Sequence, residues 1–317
     1  MKRFSFIIVS AAILLPLLFI ACQKEQEGVY NPKKKIERIY TEGQYHSEDY
    51  NRVVPRHLSE VWSWNGDQLG SISYYDDEGS FIATATFSYQ NNRVDAVSIG
   101  YFNETYFTWR YTYQDALIVS MQEYWNDEQI AEIHFTHTGK EITRISYTRH
   151  DYGKNVRSRI SPLRFILTSL NVDLYCKVSS NKNIKGESKD WSGTIVYELE
   201  WKNGNLAKSK YYDDENYYDF TDYTYDTRTN PFYSSFFGQY EPVSGVDNLM
   251  AWCFPTSKNN VLSEKASDSD GYEEVLAYNY VYNGKYPTMQ EKNLQSFTIH
   301  GVPQNWSQRE VIYYEYE

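Results

Sequence analysis

An aromatic motif recurring about every 24 residues constrains this chain more than any other feature. Each unit reads aromatic-x-anchor, then a polar turn of two to four residues, then an aliphatic residue five positions past the anchor. Trp62-Ser-Trp64 leads to Leu69 and Ile72, and Phe87-Ser-Tyr89 leads to Val94 and Val97. Tyr111-Thr-Tyr113 leads to Ile118 and Met121, and Phe135-Thr-His137 leads to Ile142 and Ile145. Leu199-Glu-Trp201 leads to Leu206, while Tyr223-Thr-Tyr225 and Tyr280-Val-Tyr282 begin further units. Anchors Trp64, Tyr89, Tyr113 and His137 stand 25, 24 and 24 residues apart, and Trp201 and Tyr225 are again 24 apart. A unit of this length holds one β-hairpin, which buries its apolar face only by joining its neighbours.

The turns carry the chemistry that hairpins need. Asn65-Gly66, Thr138-Gly139, Asn203-Gly204 and Asn283-Gly284 tolerate positive φ. The return turns are polar or acidic: Asp76-Asp77-Glu78-Gly79, Asn103-Glu104-Thr105 and Asn126-Asp127-Glu128. Between turns the pattern alternates. Phe107, Trp109, Tyr111 and Tyr113 share one face, and Tyr106, Thr108, Arg110 and Thr112 the other, as in a sheet with one apolar and one wet side. The two aliphatics after each turn are three apart, which period-2 geometry places on opposite faces. A β-bulge restores them to one face. We therefore expect recurring bulges at Leu69–Ile72, Val94–Val97, Ile118–Met121 and Ile142–Ile145. The fold class is all-β: an antiparallel hairpin meander, curled or closed into a barrel-like sheet.

Two insertions interrupt the repeat. Within 150–193, Leu163, Ile166, Leu167, Leu170 and Leu174 follow Ser161-Pro162 at helical spacing; Val172–Val178 reads alternatively as a strand. The segment 230–269, rich in Phe, Gly and Pro, reads as a long irregular loop. Leu294–His300 and Glu310–Glu317 read as a closing hairpin.

The N-terminus is a secretory signal. Lys2 and Arg3 precede an apolar run from Phe6 to Ile20, and Phe19-Ile20-Ala21-Cys22 has the form of a lipobox. The run, broken by Ser10 and Pro16, falls short of the roughly 20 apolar residues that span a bilayer. The expected organisation is a signal peptide at 1–21, a flexible tether at 22–35 and one all-β domain at 36–317. Cys22 is the lipid-attachment residue. Two or three acyl chains at roughly 0.8 kcal/mol per buried methylene hold essentially irreversibly. Gln23 follows the cysteine where inner-membrane retention uses Asp, so the address is the outer membrane of a Gram-negative cell. Gln23-Lys24-Glu25-Gln26-Glu27 is similar to an export signal to the cell surface.

Without Lys2 and Arg3 the chain has 29 basic and 42 acidic residues, a net charge near −13. Such a chain repels phosphate backbones, which excludes nucleic acid as a natural partner. It also repels anionic lipid, in keeping with attachment by acyl chains. Cys176 and Cys253 are the remaining cysteines; in an oxidising compartment they either pair or stay free.

Four segments carry a resemblance: Tyr223-Thr-Tyr225-Asp226, Asn230-Pro231-Phe232, Ser257-Lys-Asn-Asn-Val261 and Tyr280-Val-Tyr-Asn-Gly-Lys-Tyr-Pro287. With them the chain resembles a bacterial lipoprotein family of unknown function with a porin-like β fold, and its hairpins are similar to tyrosine-rich YD repeats. The resemblance implies a curled or closed meander and no established activity. The aromatic-rich faces are interrupted by Arg110, Glu198, Glu200 and Lys208, which leaves no clean apolar band for lipid. A curl filled by its own aromatics is the expectation.

No cluster of residues identifies a reaction, so no catalytic, cofactor-binding or metal-ligating residue is assigned. His134 and His137 lie three apart on one strand and face opposite ways; His137 holds an anchor position and reads as packing. Asp268-Ser-Asp270-Gly271 with Glu273 and Glu274 has part of a calcium-loop spacing, without its third acid and terminal glutamate, and reads as a solvated turn. Asp76-Asp77-Glu78 and Asp213-Asp214-Glu215 offer paired carboxylates of the kind glycoside hydrolysis uses, at turns where acids favour solvent. The expected function is a non-catalytic binding or structural role at the outer membrane surface. Its partners are the membrane through acylated Cys22 and a glycan or protein stacking on tyrosines. The alternatives are a polysaccharide hydrolase, which needs facing carboxylates in a cleft, and an envelope assembly or lipid chaperone, which needs a large apolar cavity.

Overall fold

The computed structural model describes residues 27–47, 50–101, 104–150, 194–213, 216–233 and 257–317. The helix or strand expected in 150–193 and the residues Cys22, Cys176, Cys253, Asp214 and Glu215 lie outside that set, as does the side chain of Asp213.

Every regular element described is a β-strand. The first nine are β1 (Ile36–Ser47), β2 (Tyr50–Asn65), β3 (Gln68–Tyr75), β4 (Phe81–Gln90), β5 (Arg93–Tyr101), β6 (Glu104–Gln114), β7 (Leu117–Trp125), β8 (Glu128–Thr138) and β9 (Glu141–Arg149). The rest are β10 (Thr194–Lys202), β11 (Asn205–Asp213), β12 (Asn216–Thr229), β13 (Asn259–Asp268), β14 (Glu273–Asn283), β15 (Tyr286–Ile299), β16 (Val302–Pro303) and β17 (Ser307–Tyr316). Each pairs antiparallel with its sequence neighbour, except that β17 bypasses the two-residue β16 to pair with β15. The meander closes where β1 meets β17, with Ile39 opposite Tyr314 and Thr41 opposite Ile312. Sixteen strands thus form a closed barrel, which leaves no sheet edge to template aggregation.

The expected bulges are all present. Trp64 faces Leu69 while Ser63 faces Ser71, so Gly70 is the extra residue. Asp95, Val119 and Thr143 are extra in the same way, between Val94 and Ala96, Ile118 and Ser120, and Ile142 and Arg144. The motif continues where sequence reading did not follow it, at Ala207 and Thr288. Each bulge keeps both aliphatics on the inner face. Leu69, Ile72, Val94, Val97, Ile118, Met121, Ile142 and Ile145 are all buried.

One correction concerns 230–269. Its last quarter, Asn259–Asp268, is β13, not loop. Charged residues disguise it because its inner face is partly polar: Glu264 is fully buried and accepts a hydrogen bond from the Tyr278 hydroxyl at 2.9 Å.

The faces are sorted as in a water-soluble protein. Inside stand Trp62, Phe87, Phe107, Trp109, Tyr111, Ile133, Tyr147 and Tyr197, joined in one apolar cluster. Outside run ladders of charge and hydroxyl. Arg144 meets Glu198 at 3.8 Å, Lys210 meets Glu200 at 2.7 Å, Lys208 meets Asp222 at 3.3 Å and Lys265 meets Glu273 at 2.8 Å. Ser98 and Thr108 share a hydrogen bond at 3.0 Å, and Thr224 and Ser263 one at 2.6 Å. Exposed pairs of this kind add little stability. Their significance is that a lipid-facing wall needs an apolar band, with polar groups inside, and here the two faces are exchanged.

Candidate functional site: the turn collar

All the anchor turns lie at one end of the barrel, with the start of β1 and the end of β17. There the anchors form a collar. Trp64 Nε1 donates to the Ile36 carbonyl (2.8 Å), Tyr89 Oη to Leu69 (2.8 Å), Tyr113 Oη to Val94 (2.8 Å), Trp201 Nε1 to Ile142 (2.7 Å) and Tyr316 Oη to Pro287 (2.7 Å). In each case the acceptor is the first inward residue of the adjacent strand, so the anchors stitch strand to strand around the rim. A hydrogen bond of this kind contributes about 1 kcal/mol. Burial raises the phenol pKa of Tyr89 to about 12 and keeps these hydroxyls as donors.

At the remaining three anchors a polar side chain is inserted. Ser257 Oγ accepts from the Leu206 amide at 3.0 Å and donates to Tyr225 Oη at 2.9 Å. Asp226 accepts from the Tyr282 hydroxyl and from the Asn260 amide, the latter at 3.1 Å. Glu27 accepts from the Ile118 amide at 2.6 Å and lies 3.3 Å from His137 Nε2. Packing alone was expected of His137. Its imidazole also holds the N-terminal segment.

That segment is docked rather than loose from Glu27 onward. The Glu27 amide donates to the Ala116 carbonyl at 3.0 Å, and the Gly28 carbonyl accepts from the Val94 amide at 2.9 Å. Gly28 has φ +80°, and a Cβ there would fall 2.1 Å from Tyr113 Oη, so only glycine fits beside the ring. Tyr30 is buried against Trp62 and Trp64, and its hydroxyl donates to the Pro231 carbonyl at 2.8 Å. Asn230 caps its own turn through the Phe232 amide (2.9 Å) and ties to the Ser257 carbonyl (3.0 Å). Phe232 packs between Trp62 and Tyr314. The segments behind the family resemblance therefore meet here, at the rim.

Among the described residues the collar encloses little space. The pocket beneath it, among Asn230, Phe232, Tyr280, Gln290 and Tyr314, has room for about one water, roughly 10 Å³. Buried carboxylates stand inside the wall. Glu60 accepts from Trp62 Nε1 at 2.7 Å, and Glu123 from Tyr147 Oη at 3.3 Å. The other Glu60 oxygen, Oε1, is buried without a hydrogen-bond partner among the described residues. Burial drives the Glu60 pKa up to about 8, with the Trp62 hydrogen bond pulling the other way. A protonated carboxyl fits this place.

The remaining candidates are turn structure. Asp76 Oδ1 accepts from the amides of Glu78 (3.0 Å) and Ser80 (2.7 Å), and Asp77 pairs with Arg52 at 2.5 Å. Asp268 Oδ1 accepts from the amides of Asp270 (2.8 Å) and Tyr272 (2.9 Å). Glu273 faces outward to Lys265, whereas Glu274 is buried inside, so these two carboxylates do not converge. His134 is exposed beside Glu132 at 3.3 Å, on the face opposite His137.

These features define a closed antiparallel β-barrel with an apolar inner face, a polar outer face and its own N-terminal segment packed against one rim. The structure is similar to a porin-like protein from Bacteroides uniformis, with a TM-score of 0.52 and 11% identity over 92% of this chain and 100% of that one. A porin-like protein from Bacteroides vulgatus gives a TM-score of 0.42 and 10% identity over 90% and 99%. The first likeness shows the fold. No protein-family model and no curated protein matches the chain.

Proposed function

We propose that this chain is a non-catalytic lipoprotein of the outer membrane, held by acyl chains on Cys22 and presenting its barrel in water to a glycan or protein partner. The observation that carries the reading is the ionic and hydroxyl-bearing outer wall. A barrel dressed in Lys–Glu and Ser–Thr pairs is unsuited to hydrocarbon, so membrane attachment falls to the N-terminus. The docked Glu27 lies five residues from the lipobox cysteine, which leaves only a short stretch of chain between the barrel and the lipid.

Among the described residues, several outward rings are covered by cations. Arg56 lies over Tyr40 and Tyr313 at 4.9 and 4.0 Å, and Arg110 lies over Tyr124 at 4.6 Å. Ring–guanidinium pairs of this kind suit a glycan carrying carboxylates or sulfates better than a neutral one, since the ring packs the sugar and the cation meets the acid. Replacing Cys22 by Ala should move the folded protein from the membrane fraction to the soluble fraction. Fractionation of cells, with circular dichroism of the released protein, checks this. A Cys22→Ala protein that stays in the membrane would overturn the lipid-anchor reading. Labelling of intact cells with a membrane-impermeant amine reagent tests surface exposure separately.

A further inference from the structure

One row of side chains departs from the ionic dress of the outer wall. Leu58 on β2 faces Tyr40 on β1, and Tyr40 faces Tyr313 on β17. Tyr313 faces Met289 on β15, and Met289 faces Val281 on β14. Directly opposed residues share a face. The positions next to them, Ile39, Ile312 and Tyr314, are buried inside, so the row points outward. None of its members is buried, and Val281 is 51% exposed. Four strand spacings of about 4.8 Å make the row about 19 Å long. Among the described residues it is the longest unbroken apolar row on the outer wall. Ion pairs border it on both sides. Toward the collar, Arg38 meets Glu315 at 3.7 Å and Glu37 at 3.1 Å. Toward the far end, Arg309 reaches Glu291 at 2.5 Å and Glu42 at 3.4 Å. A third arginine lies on the row itself. Thr41 faces His57 and Gly43 faces Val54, so Pro55 and Arg56 together stand opposite Glu42 in a bulge. Bulges re-aim side chains, and this one lays Arg56 over the rings of Tyr40 and Tyr313. Arg38 and Arg309 are held by carboxylates, whereas Arg56 has none within ion-pair distance among the described residues.

We infer that this row is a glycan-binding strip: a sugar chain lies across the strands with its ring faces on the row and sets one carboxylate or sulfate on Arg56. The inference rests on the glycan reading proposed above and gives it a place on the wall. A sugar ring is apolar on its faces and polar at its edges. That matches a row one side chain tall between two bands of donors and acceptors. Other partners fit worse. A lipid-facing band on a barrel is about 25 Å tall. A second copy of the chain needs roughly 800 Å² on each side, far more than one row supplies. An amphipathic helix needs a groove, and the outside of a barrel is convex. The charges then set the kind of glycan. Glu37, Glu42, Glu291 and Glu315 outnumber the three arginines, so the strip repels a dense polyanion. Arg56, with rings beneath it and no carboxylate of its own, has donors for a single acid. The matching ligand is an acidic glycan whose charges are spaced by neutral sugars.

The test is calorimetric titration of the purified mature protein with three hexasaccharides. The first is hyaluronan, in which carboxylate-bearing and neutral sugars alternate. The second is the same chain with its carboxyl groups reduced to alcohols, and the third is densely sulfated heparin. Hyaluronan should bind more tightly than either of the others. Arg56→Met should weaken hyaluronan about tenfold, the worth of one charge-assisted contact, and leave the reduced chain unchanged. Val281→Asp, which keeps Arg56, should weaken hyaluronan and the reduced chain alike, severalfold. Arg110→Met uncovers Tyr124 outside the row and should change neither. Circular dichroism melts check that each wall variant is folded. Heparin binding tighter than hyaluronan would overturn the strip. Hyaluronan binding that survives both Arg56→Met and Val281→Asp would overturn the strip and leave the glycan reading standing. Failure of all three sugars to bind the folded wild type would overturn the strip and the glycan reading together, while the lipid on Cys22 is read by fractionation alone.

Discussion

Deleting Val119 should destabilise the barrel by about 3–5 kcal/mol, whereas Val119→Ala should cost less than about 1 kcal/mol. Val119 is the extra residue of the β6–β7 bulge, between the pairs Tyr113–Ile118 and Thr112–Ser120. Ile118 and Met121 are both buried inside although three positions apart. Without the bulge, period-2 geometry sends one of them to the wet face, and each buried aliphatic contributes roughly 1.5–3 kcal/mol. The slip also moves the Ile118 amide away from Glu27, which loosens the docked segment. Urea unfolding of the two variants checks this. Equal, small losses would mean that the bulge does not set the register.

Glu60→Gln should stabilise the protein by several kcal/mol above pH 8 and by nothing near pH 4. Its carboxyl titrates in the fold at about 8 against 4.5 unperturbed, because it is buried. Below 4.5 both folded and unfolded chains hold the proton. As pH rises from 4.5 to 8 the unfolded chain releases it while the fold retains it, so stability falls across that window and is level above it. At about 1.4 kcal/mol per unit the loss is at most roughly 4–5 kcal/mol. Glutamine keeps an acceptor for Trp62 Nε1 and carries no charge to bury. Denaturant midpoints from pH 4 to pH 9 check the prediction: the wild-type curve should descend and the variant's should stay flatter. Parallel curves would place the Glu60 carboxylate in contact with water.

Much of this architecture was legible in the sequence because the repeat encodes it locally. Aromatic-x-anchor spacing places the turns, and aliphatics three apart require the bulges. Closure was not legible: the β1–β17 pairing joins Ile39 to Tyr314 across the chain, and no local pattern marks it. β13 was missed because Glu264 interrupts its apolar alternation while a distant hydroxyl, on Tyr278, satisfies it. The docking of Glu27–Tyr30 was hidden in a polar segment that reads as linker. One trace of it was visible, since His137 breaks a series of Trp and Tyr anchors, and an imidazole there suits a carboxylate. The buried acids left a trace as well: Glu60 stands two residues before Trp62, and Glu123 two after Met121, which puts each on the inner face.

The exchange of faces is most directly tested by melting two lysine variants in detergent-free buffer. Thr112 and Met121 lie on the β6–β7 hairpin, Thr112 exposed on the outer wall and Met121 buried within. Thr112→Lys should melt as the wild type does, while Met121→Lys should unfold, since an unpaired buried ammonium costs several kcal/mol. A folded Met121→Lys beside a Thr112→Lys that folds only with detergent would contradict the account and place the wall in lipid.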